Sequence, residues 1–262
     1  MNAIILIAAH KQYQMPSARC YLPLHVGRAC SNQQTGYLGD DTGSNISAKN
    51  PQFCELTGLY WAWKNLDCDY LGLAHYRRHF TVKSHAYRRT HDAWECVLSD
   101  SELEALIAQH DVIVPAKRRY FIETLYSHYA HTHYAEHLDL TREIIRQQCP
   151  EFLPDFDAVM RQTSGYMFNM FIMKRRLCDR YCAWLFPILF ELERQVDISS
   201  LSTFQARLFG RVSELLFNVW LRRQHIRPKE IGCIHMEPID WRKKGAAFLQ
   251  AKFRHRKFDG SF

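Results

Sequence analysis

The sequence predicts an α/β protein with a central, mostly parallel sheet flanked by helices in a single domain. The chain opens with a continuous apolar run, Ala3–Ala9, as expected for a strand buried on both faces of a parallel sheet. Short apolar runs then alternate with stretches of helical periodicity, the order that strand–helix–strand units produce. At 262 residues the chain can bury a full core, and its sequence contains neither a linker nor an internal repeat.

The first half of the chain supplies most of the predicted strands. Gly, Asp, Thr, Ser and Asn dominate residues 32–47, a composition typical of a loop. Asn50 and Pro51 suit the N-cap and the first position of a helix, which apolar residues at helical spacing extend to about Asn65. The elements predicted next are a strand at Tyr70–Ala74, a polar and unpatterned segment over 81–99, a helix over 101–109 and a strand at Asp111–Val114 that Pro115 ends.

The second half is predicted to be richer in helix. Residues 120–148 are mainly helical in pattern, and Tyr166–Met173 is a further apolar strand. An amphipathic helix over 177–196 contains a proline, which we expect to kink it. Ser202 and Gln205 form a capping-box pattern ahead of a last helix with one apolar face.

Composition excludes several classes of protein. A hydrophobic content of 47% with 13% aromatic residues is typical of a globular chain and not of a disordered one. The apolar runs are far shorter than the roughly 20 residues that span a bilayer, and the amino terminus lacks the basic region and cleavage site of a secretory signal. Nine cysteines without a Cys-x-x-Cys pair indicate reduced thiols, so we expect a cytoplasmic protein.

The last residues differ in charge from the rest. We divide the chain into a catalytic domain at 1–240 and a basic tail at 241–262, in which Lys and Arg recur from Arg242 to Lys257 without an acidic residue. The tail is open to three interpretations: a solvated helix, a nucleic-acid contact, or a peripheral contact with anionic lipid, where each basic residue adds roughly 1 kcal/mol. No base-reading motif accompanies the charge, so nucleic acid is not an expected partner.

The strand ends suggest where a ligand binds. In open α/β sheets, ligands bind beyond the carboxyl ends of the strands. His10 and Lys11 follow the first predicted strand, and the strand at Tyr70–Ala74 is followed by His75, Tyr76, Arg77 and Arg78. The Asp67-Cys68-Asp69 segment resembles a metal-binding Asp-x-Asp, but it precedes its strand. We therefore place it at the opposite edge, as a turn, and assign no metal.

Arg77 and Arg78 can perform electrostatically what a divalent ion performs in other enzymes. A guanidinium stays charged, donates to phosphate oxygens and stabilises charge that builds on a leaving diphosphate. Neighbouring residues of a strand point to opposite faces, so we expect one of the two to reach the ligand directly. The alternative is that both arginines pair with carboxylates of the protein.

The loop before the first helix offers further ligand groups. It combines turn glycines with carboxylates, amides and an ammonium group, and it leads into a helix whose free N–H groups attract phosphate. Carboxylates in such a loop suit the hydroxyls of ribose or sugar. The predicted donor-binding set joins five residues of this segment, Asp40, Asp41, Asn45, Lys49 and Asn50, to three residues that follow strands, His10, Lys11 and Tyr76.

A base is also needed if the hydroxyl of a sugar is to attack. Glu214 lies off the apolar face of its helix and could take the acceptor proton, with Glu237 as a reserve; an ordinary surface glutamate is the alternative. A cluster of histidines resembles a metal site and leaves a metal-dependent hydrolase open: His128, His131, His133 and His137. It lacks a His-Glu-x-x-His pattern, and the chain lacks a Walker loop, a Gly-x-Ser-x-Gly and a Gly-x-Gly-x-x-Gly.

A run of motifs resembles a bacterial capsule and exopolysaccharide family, domain of unknown function 4422, which includes galactofuranosyltransferase-like enzymes. These motifs are Asp41-Thr42-Gly43, Asn45-Ile46-Ser47, Lys49-Asn50, Cys54-Glu55-Leu56-Thr57, Leu59-Tyr60-Trp61, Trp63-Lys64-Asn65, Gly72-Leu73 and His75-Tyr76-Arg77-Arg78. The likeness continues through Asn169-Met170-Phe171-Ile172-Met173-Lys174 to the predicted helix of Glu214. The chain departs from the family at Ala9, where Thr is common, and at Leu215, where Arg often follows the Glu.

The resemblance implies a variant of the glycosyltransferase A fold. Such an enzyme would transfer a sugar, galactofuranose or another hexose, from a UDP donor to a lipid-linked or oligosaccharide acceptor of a capsule, exopolysaccharide or O-antigen. His10 and Lys11 would border the nucleotide, and Ser213-Glu214 would match the acidic position near the acceptor. The diphosphate would lie by His75, Arg77 and Arg78, and the donor pocket would be lined by Asp41, Asn45, Lys49 and Asn50. No metal cofactor is expected, although a divalent ion is not excluded.

Overall fold

The computed structural model describes residues 2–237, which form two compact units interleaved along the chain. The first unit comprises 2–116, 168–182 and 227–237, and the second comprises 117–167 and 183–226. The predicted tail at 241–262 lies outside the described residues, so the division of the chain at residue 240 stays a prediction. Within residues 2–237, none of the helices combines the length and the apolar character needed to cross a bilayer.

The described residues form ten strands and nine α-helices. The strands are β1 (Ala3–Ala9), β2 (Tyr21–His25), β3 (Leu38–Gly39), β4 (Tyr70–His75), β5 (Arg78–Thr81), β6 (Val112–Pro115), β7 (Arg118–Arg119), β8 (Ser164–Gly165), β9 (Phe171–Lys174) and β10 (Lys229–His235). The helices are α1 (Asn50–Phe53), α2 (Leu56–Asn65), α3 (His85–Thr90), α4 (Asp100–Ile107), α5 (Leu125–Thr132), α6 (Glu136–Gln148), α7 (Leu153–Met160), α8 (Arg175–Gln195) and α9 (Leu208–Arg223).

The first unit is built on an eight-stranded sheet in the order β3-β2-β1-β4-β5-β10-β6-β9. In β1, Ile5, Leu6, Ile7 and Ala9 are fully shielded from solvent. It pairs in parallel with β2 on one side and with β4 on the other, and β3 runs parallel to β2. This half of the sheet is parallel, as predicted.

The other half of the sheet corrects the prediction of a mostly parallel sheet. β5 returns directly from β4 as an antiparallel neighbour, with His75 opposite Arg78. The two residues between them leave no room for the crossover helix that a parallel pair requires. β9 also runs antiparallel to β4, and β10 runs antiparallel to β5. The fold is α/β, but its sheet is mixed.

Several predicted elements change at residues with unusual backbone conformations. The helix predicted from Asn50 to Asn65 breaks into α1 and α2 at Cys54, where φ is 52°. The strand predicted to start at Tyr166 starts only at Phe171, because Phe168 and Asn169 adopt left-handed conformations. Such conformations are costly for side chains other than glycine and cannot continue a helix or strand.

The second unit is mainly helical and carries the short antiparallel ribbon β7–β8. Phe156 of α7 and Trp220 of α9 are fully buried within it. Residues 120–148, predicted to be mainly helical, contain α5 and α6, and Thr124 begins α5 with a capping box completed by Ser127. The predicted histidine cluster lies on and between α5 and α6, and Glu214 lies on α9.

Candidate functional site

The carboxyl ends of β1, β2, β3 and β4 lie at one edge of the sheet, because these four strands are parallel. His10 and Lys11 follow β1 there, and Tyr76 and Arg77 follow β4, as the strand-end rule predicts. Asp67-Cys68-Asp69 lies at the opposite edge, where the Asp69 carboxylate accepts a 2.7 Å hydrogen bond from the backbone N–H of Asn2. We call the first of these the carboxyl edge.

A stacked pair of half-buried tyrosines lies at the carboxyl edge, beside the exposed His10 and Lys11. The rings of Tyr13 and Tyr76 lie 3.8 Å apart and nearly parallel, and the Tyr13 hydroxyl lies 3.2 Å from Nε2 of His10. Cations flank the pair: Lys11 Nζ is 5.2 Å from the Tyr13 ring, and the Arg77 guanidinium is 5.7 Å from the Tyr76 ring. Aromatic faces beside fixed cations suit a ligand that carries both a flat ring and phosphate.

Arg77 lies in the turn between β4 and β5, and Arg78 is the first residue of β5, so the two are not neighbours within one strand as predicted. Arg77 forms a 3.5 Å ion pair with Glu237, and both side chains are substantially exposed. Arg78 lies with its guanidinium 4.4 Å from the ring of Phe168. For Arg77, the alternative in which a carboxylate neutralises the arginine is realised only at 3.5 Å and in contact with solvent. Exposed ion pairs of this length contribute little stability, so Arg77 can turn towards an incoming phosphate at little cost.

Two strained segments meet beside His75. Nε2 of His75 donates a 2.6 Å hydrogen bond to the carbonyl oxygen of Phe168, and burial lowers the pKa of this imidazole, so it is neutral. The next residue, Asn169, donates a 2.6 Å hydrogen bond from its side-chain amide to Oε1 of Glu55. Glu55 follows Cys54, so residues with positive φ lie on both sides of this hydrogen bond. Strain of this kind concentrates at functional sites.

Sequence reasoning missed three members of this edge. Tyr13 gave a weak signal, since it follows β1 by four residues. Glu55 and Asn169 appeared only inside longer motifs, and nothing in their local pattern showed that they meet. The contact joins residues 114 positions apart. Glu55 is half-buried, so its carboxylate is held by a neighbour without being closed off from a ligand.

The loop between β3 and α1 is organised by Asp40. Its fully buried carboxylate accepts hydrogen bonds from the backbone N–H of Gly27 at 2.9 Å, from that of Arg28 at 3.1 Å, and from the Ser47 hydroxyl. Gly27 has φ of +71°, and a Cβ there would meet the Asn50 side chain at 2.6 Å, so only glycine fits. Asp40 therefore positions the loop, and its predicted donor contact stays a prediction.

The other loop residues of the donor-binding set differ in their surroundings. Asn45 bonds within the loop, to the Gly43 carbonyl oxygen at 3.1 Å. Asn50 donates to the carbonyl oxygen of Cys54 at 2.7 Å and so supports the break between α1 and α2. Asp41 is exposed, and Lys49 is half-buried in a 3₁₀ turn just before α1. The structure does not test the contacts of these side chains with a donor.

Glu214 belongs to the second unit. It lies half-buried on α9, and its backbone carbonyl oxygen accepts a 2.8 Å hydrogen bond from the Asn218 side chain. Burial raises the pKa of Tyr120 to about 12, and the negative charge of Glu214 contributes to that rise. Its role as a base stays a prediction.

The four histidines of the predicted cluster are all hydrogen-bonded to protein atoms. Glu123, which is buried, lies 2.8 Å from Nδ1 of His128 and 2.7 Å from Nδ1 of His131. His133 bonds to the Gln205 side chain and His137 to the Tyr129 hydroxyl. Across residues 2–237, no group of three or more His, Cys, Asp or Glu side chains is arranged to hold a metal ion.

Comparison with known proteins supports the resemblance drawn from the motifs. Residues 4–225 match the family described as "Domain of unknown function (DUF4422)". The chain is also similar to a solved structure, the apo form of WbbM, described as a bifunctional glycosyltransferase, with 28% identity and a TM-score of 0.82. The likeness covers 91% of this chain but 46% of that one, so the chain spans less than half of the longer protein. No curated protein matches the sequence.

Proposed function

Because the chain belongs to the DUF4422 family, we propose that it is a glycosyltransferase that moves a sugar from a UDP-sugar donor to a hydroxyl of a growing bacterial surface glycan. The likeness to a bifunctional glycosyltransferase supports transferase chemistry. The observation that carries the proposal is the stacked Tyr13–Tyr76 pair between Lys11 and Arg77, at the carboxyl ends of parallel strands. A uracil ring and a diphosphate match those two kinds of group.

The donor would be held without a resident metal. Arg77 and Arg78 would neutralise the diphosphate, and stabilisation of charge on the departing UDP is the step in which they would lower the barrier. His10 and Lys11 would border the nucleotide. The donor sugar is galactofuranose or another hexose, and the acceptor is a lipid-linked or oligosaccharide chain of a capsule, exopolysaccharide or O-antigen. The reaction would take place in the cytoplasm, at the inner face of the cell membrane.

Two carboxylates are candidates for the base that takes the acceptor proton. Glu55 lies within the first unit's cluster, 2.6 Å from an amide of Asn169 that fixes its orientation. Glu214 is the candidate drawn from the sequence and lies in the second unit. The single hydrogen bond from Asn169 leaves the Glu55 carboxylate able to accept a further proton, so we favour Glu55.

Calorimetric titration with UDP and a panel of UDP-sugars, each with and without EDTA, tests the proposal. We expect binding that EDTA leaves unchanged and that Arg77→Ala weakens. Arg176→Ala is the matched control, since Arg176 is an exposed arginine paired with Asp111. A folded protein that binds none of these nucleotides would contradict the proposal. The donor that gives both binding and turnover would identify the sugar.

The two alternatives gain no support from the described residues. A module that binds nucleic acid or an anionic surface through the basic tail depends on residues outside the described range. A metal-dependent hydrolase depends on His128–His137, whose histidines are hydrogen-bonded to protein atoms.

A further inference from the structure

The second unit displays two neighbouring apolar side chains at a strained turn. Phe121 is 80% exposed and Ile122 is 70% exposed. Phe121 has φ of +56°, and the backbone N–H of Ile122 donates to the carbonyl oxygen of Tyr120 at 2.6 Å. This is a γ-turn with positive φ, a rare and strained conformation. A disfavoured backbone conformation that exposes two large apolar side chains indicates a binding role for this turn.

The turn is held from both sides. On its amino-terminal side, β7 pairs with β8, and the backbone N–H of Tyr120 donates to the carbonyl oxygen of Thr163 at 2.8 Å. On its carboxyl-terminal side, Glu123 is buried beneath His128 and His131. Phe121 and Ile122 are therefore presented on a fixed base and do not belong to a loose loop.

The residues around the turn are basic. Lys117, Arg118 and Arg119 lead into it, and the facing segment over 161–166 adds Arg161 and no acidic residue. The Arg118 guanidinium lies 5.0 Å from the Tyr120 ring, which keeps its charge beside the apolar side chains. We call residues 117–122 the basic apolar tip.

The carboxylates near the tip are occupied by partners. Hydrogen bonds from His128 and His131 outweigh burial and lower the pKa of Glu123. Two further carboxylates share a cavity with Arg161: Asp157 is held by Arg142, and Asp139 accepts from the Tyr126 hydroxyl at 2.9 Å. Glu214 acts on Tyr120 electrostatically, behind the exposed residues. Within the described part of the second unit, these carboxylates are engaged with protein groups, whereas Lys117 and Arg119 of the tip are exposed.

We propose that the basic apolar tip inserts into the headgroup region of a membrane that contains anionic lipid. Exposed aromatic and aliphatic side chains beside lysine and arginine are the combination that binds such an interface: the apolar groups enter the boundary of the acyl chains, and the cations remain among the phosphates. The tip consists of residues other than those of the carboxyl edge and of the predicted tail. It provides a contact with the surface on which a lipid-linked acceptor would lie, and it does not depend on the identity of the donor.

Flotation of the full chain with vesicles tests the tip. Vesicles of phosphatidylcholine alone are compared with vesicles that also contain phosphatidylglycerol, and we expect the wild type to float with the second kind. The double variant Phe121→Ser with Ile122→Ser should reduce this partitioning at least about tenfold, since two large apolar groups no longer leave water. Arg119→Glu should reduce it about tenfold at low salt and less at high salt.

Val82→Ser is the matched control, because Val82 is 42% exposed and lies in the first unit. It should leave partitioning unchanged. All variants keep the tail, so the comparison isolates the tip, and unchanged UDP binding by the double variant separates this result from the proposed enzyme activity. Wild-type partitioning by the double variant would overturn the proposal. Self-association in sedimentation that the double variant loses, without vesicle binding by the wild type, would also overturn it and would identify the tip as a contact between copies.

Discussion

The carboxyl edge of the first unit and the histidine cluster of the second unit contain similar residue types, yet the protein uses them differently. At the edge, Arg77 meets its carboxylate partner only at 3.5 Å and in contact with solvent. In the cluster, His128 and His131 hold a buried glutamate at 2.8 and 2.7 Å. A buried, fully paired group stabilises the fold, whereas a loosely paired cation at a strand end remains available to a ligand.

A high density of titratable residues therefore does not by itself locate a ligand-binding site. Burial lowers the pKa of His128 to about 4 and that of His133 to about 3, so both are neutral near pH 7. Neutral imidazoles bonded to Glu123 and Gln205 are structural members of their unit. Position relative to the sheet is the better guide, because parallel strands bring residues distant in sequence to one edge.

The largest expected effect comes from substituting the two candidate bases, one in each unit, and comparing the results. We expect Glu55→Gln to reduce kcat about 1000-fold, the scale of losing a positioned general base, while leaving UDP-sugar affinity unchanged. Glutamine keeps an oxygen that can accept from Asn169, so the fold should persist. Glu214→Gln is the matched variant in the second unit, and we expect a much smaller effect. Steady-state turnover with the donor identified by titration measures both, and the reverse order would assign the base to Glu214.

A second test removes the cations of the edge. Arg77→Ala and Arg78→Ala should each reduce turnover about 100-fold or more, because the charge on the leaving diphosphate loses a donor. Arg77→Ala should leave unfolding unchanged, since its ion pair is exposed. Arg78→Ala should also destabilise the protein by about 1 kcal/mol, because Arg78 lies over Phe168. Arg176→Ala again serves as control, and full activity in both variants would contradict the metal-free donor site.

Elements with a strong local pattern were predictable from the sequence. β1 matches its predicted bounds, Ala3–Ala9, because an unbroken apolar run of this length is typical of a strand that is buried on both faces of a parallel sheet. β2 was not predicted, since it is short and contains Pro23, which interrupts a strand pattern. In the structure Pro23 pairs in register with Ile7, so tertiary pairing overrides the local signal.

The site was predictable only where it depends on strand ends. The rule for parallel strands gave the edge that carries His10, Lys11, Tyr76 and Arg77, and it placed Asp67–Asp69 elsewhere. Glu55 and Asn169 depend on left-handed backbone at Cys54 and Phe168, which long-range packing imposes. Single-sequence patterns do not encode such conformations in residues other than glycine, so this part of the site emerges only from the fold.

The smallest expected effect concerns stability in the second unit. An unfolded histidine titrates near pH 6.5, but burial lowers the folded pKa of His128 to about 4. Above pH 6.5 neither state takes up this proton and stability is complete. As the pH falls from 6.5 towards 4, only the unfolded state takes it up, so stability falls by about 1.4 kcal/mol per pH unit for this histidine.

His128→Asn should remove that contribution while keeping a donor to Glu123 near the position of Nδ1. Urea unfolding between pH 6.5 and pH 5 should therefore show a loss of stability with falling pH that is smaller than that of the wild type by up to about 1.4 kcal/mol per unit. Equal slopes in wild type and His128→Asn would mean that His128 is not held neutral. That result would contradict the distinction between a structural histidine cluster and a carboxyl edge that is available to a ligand.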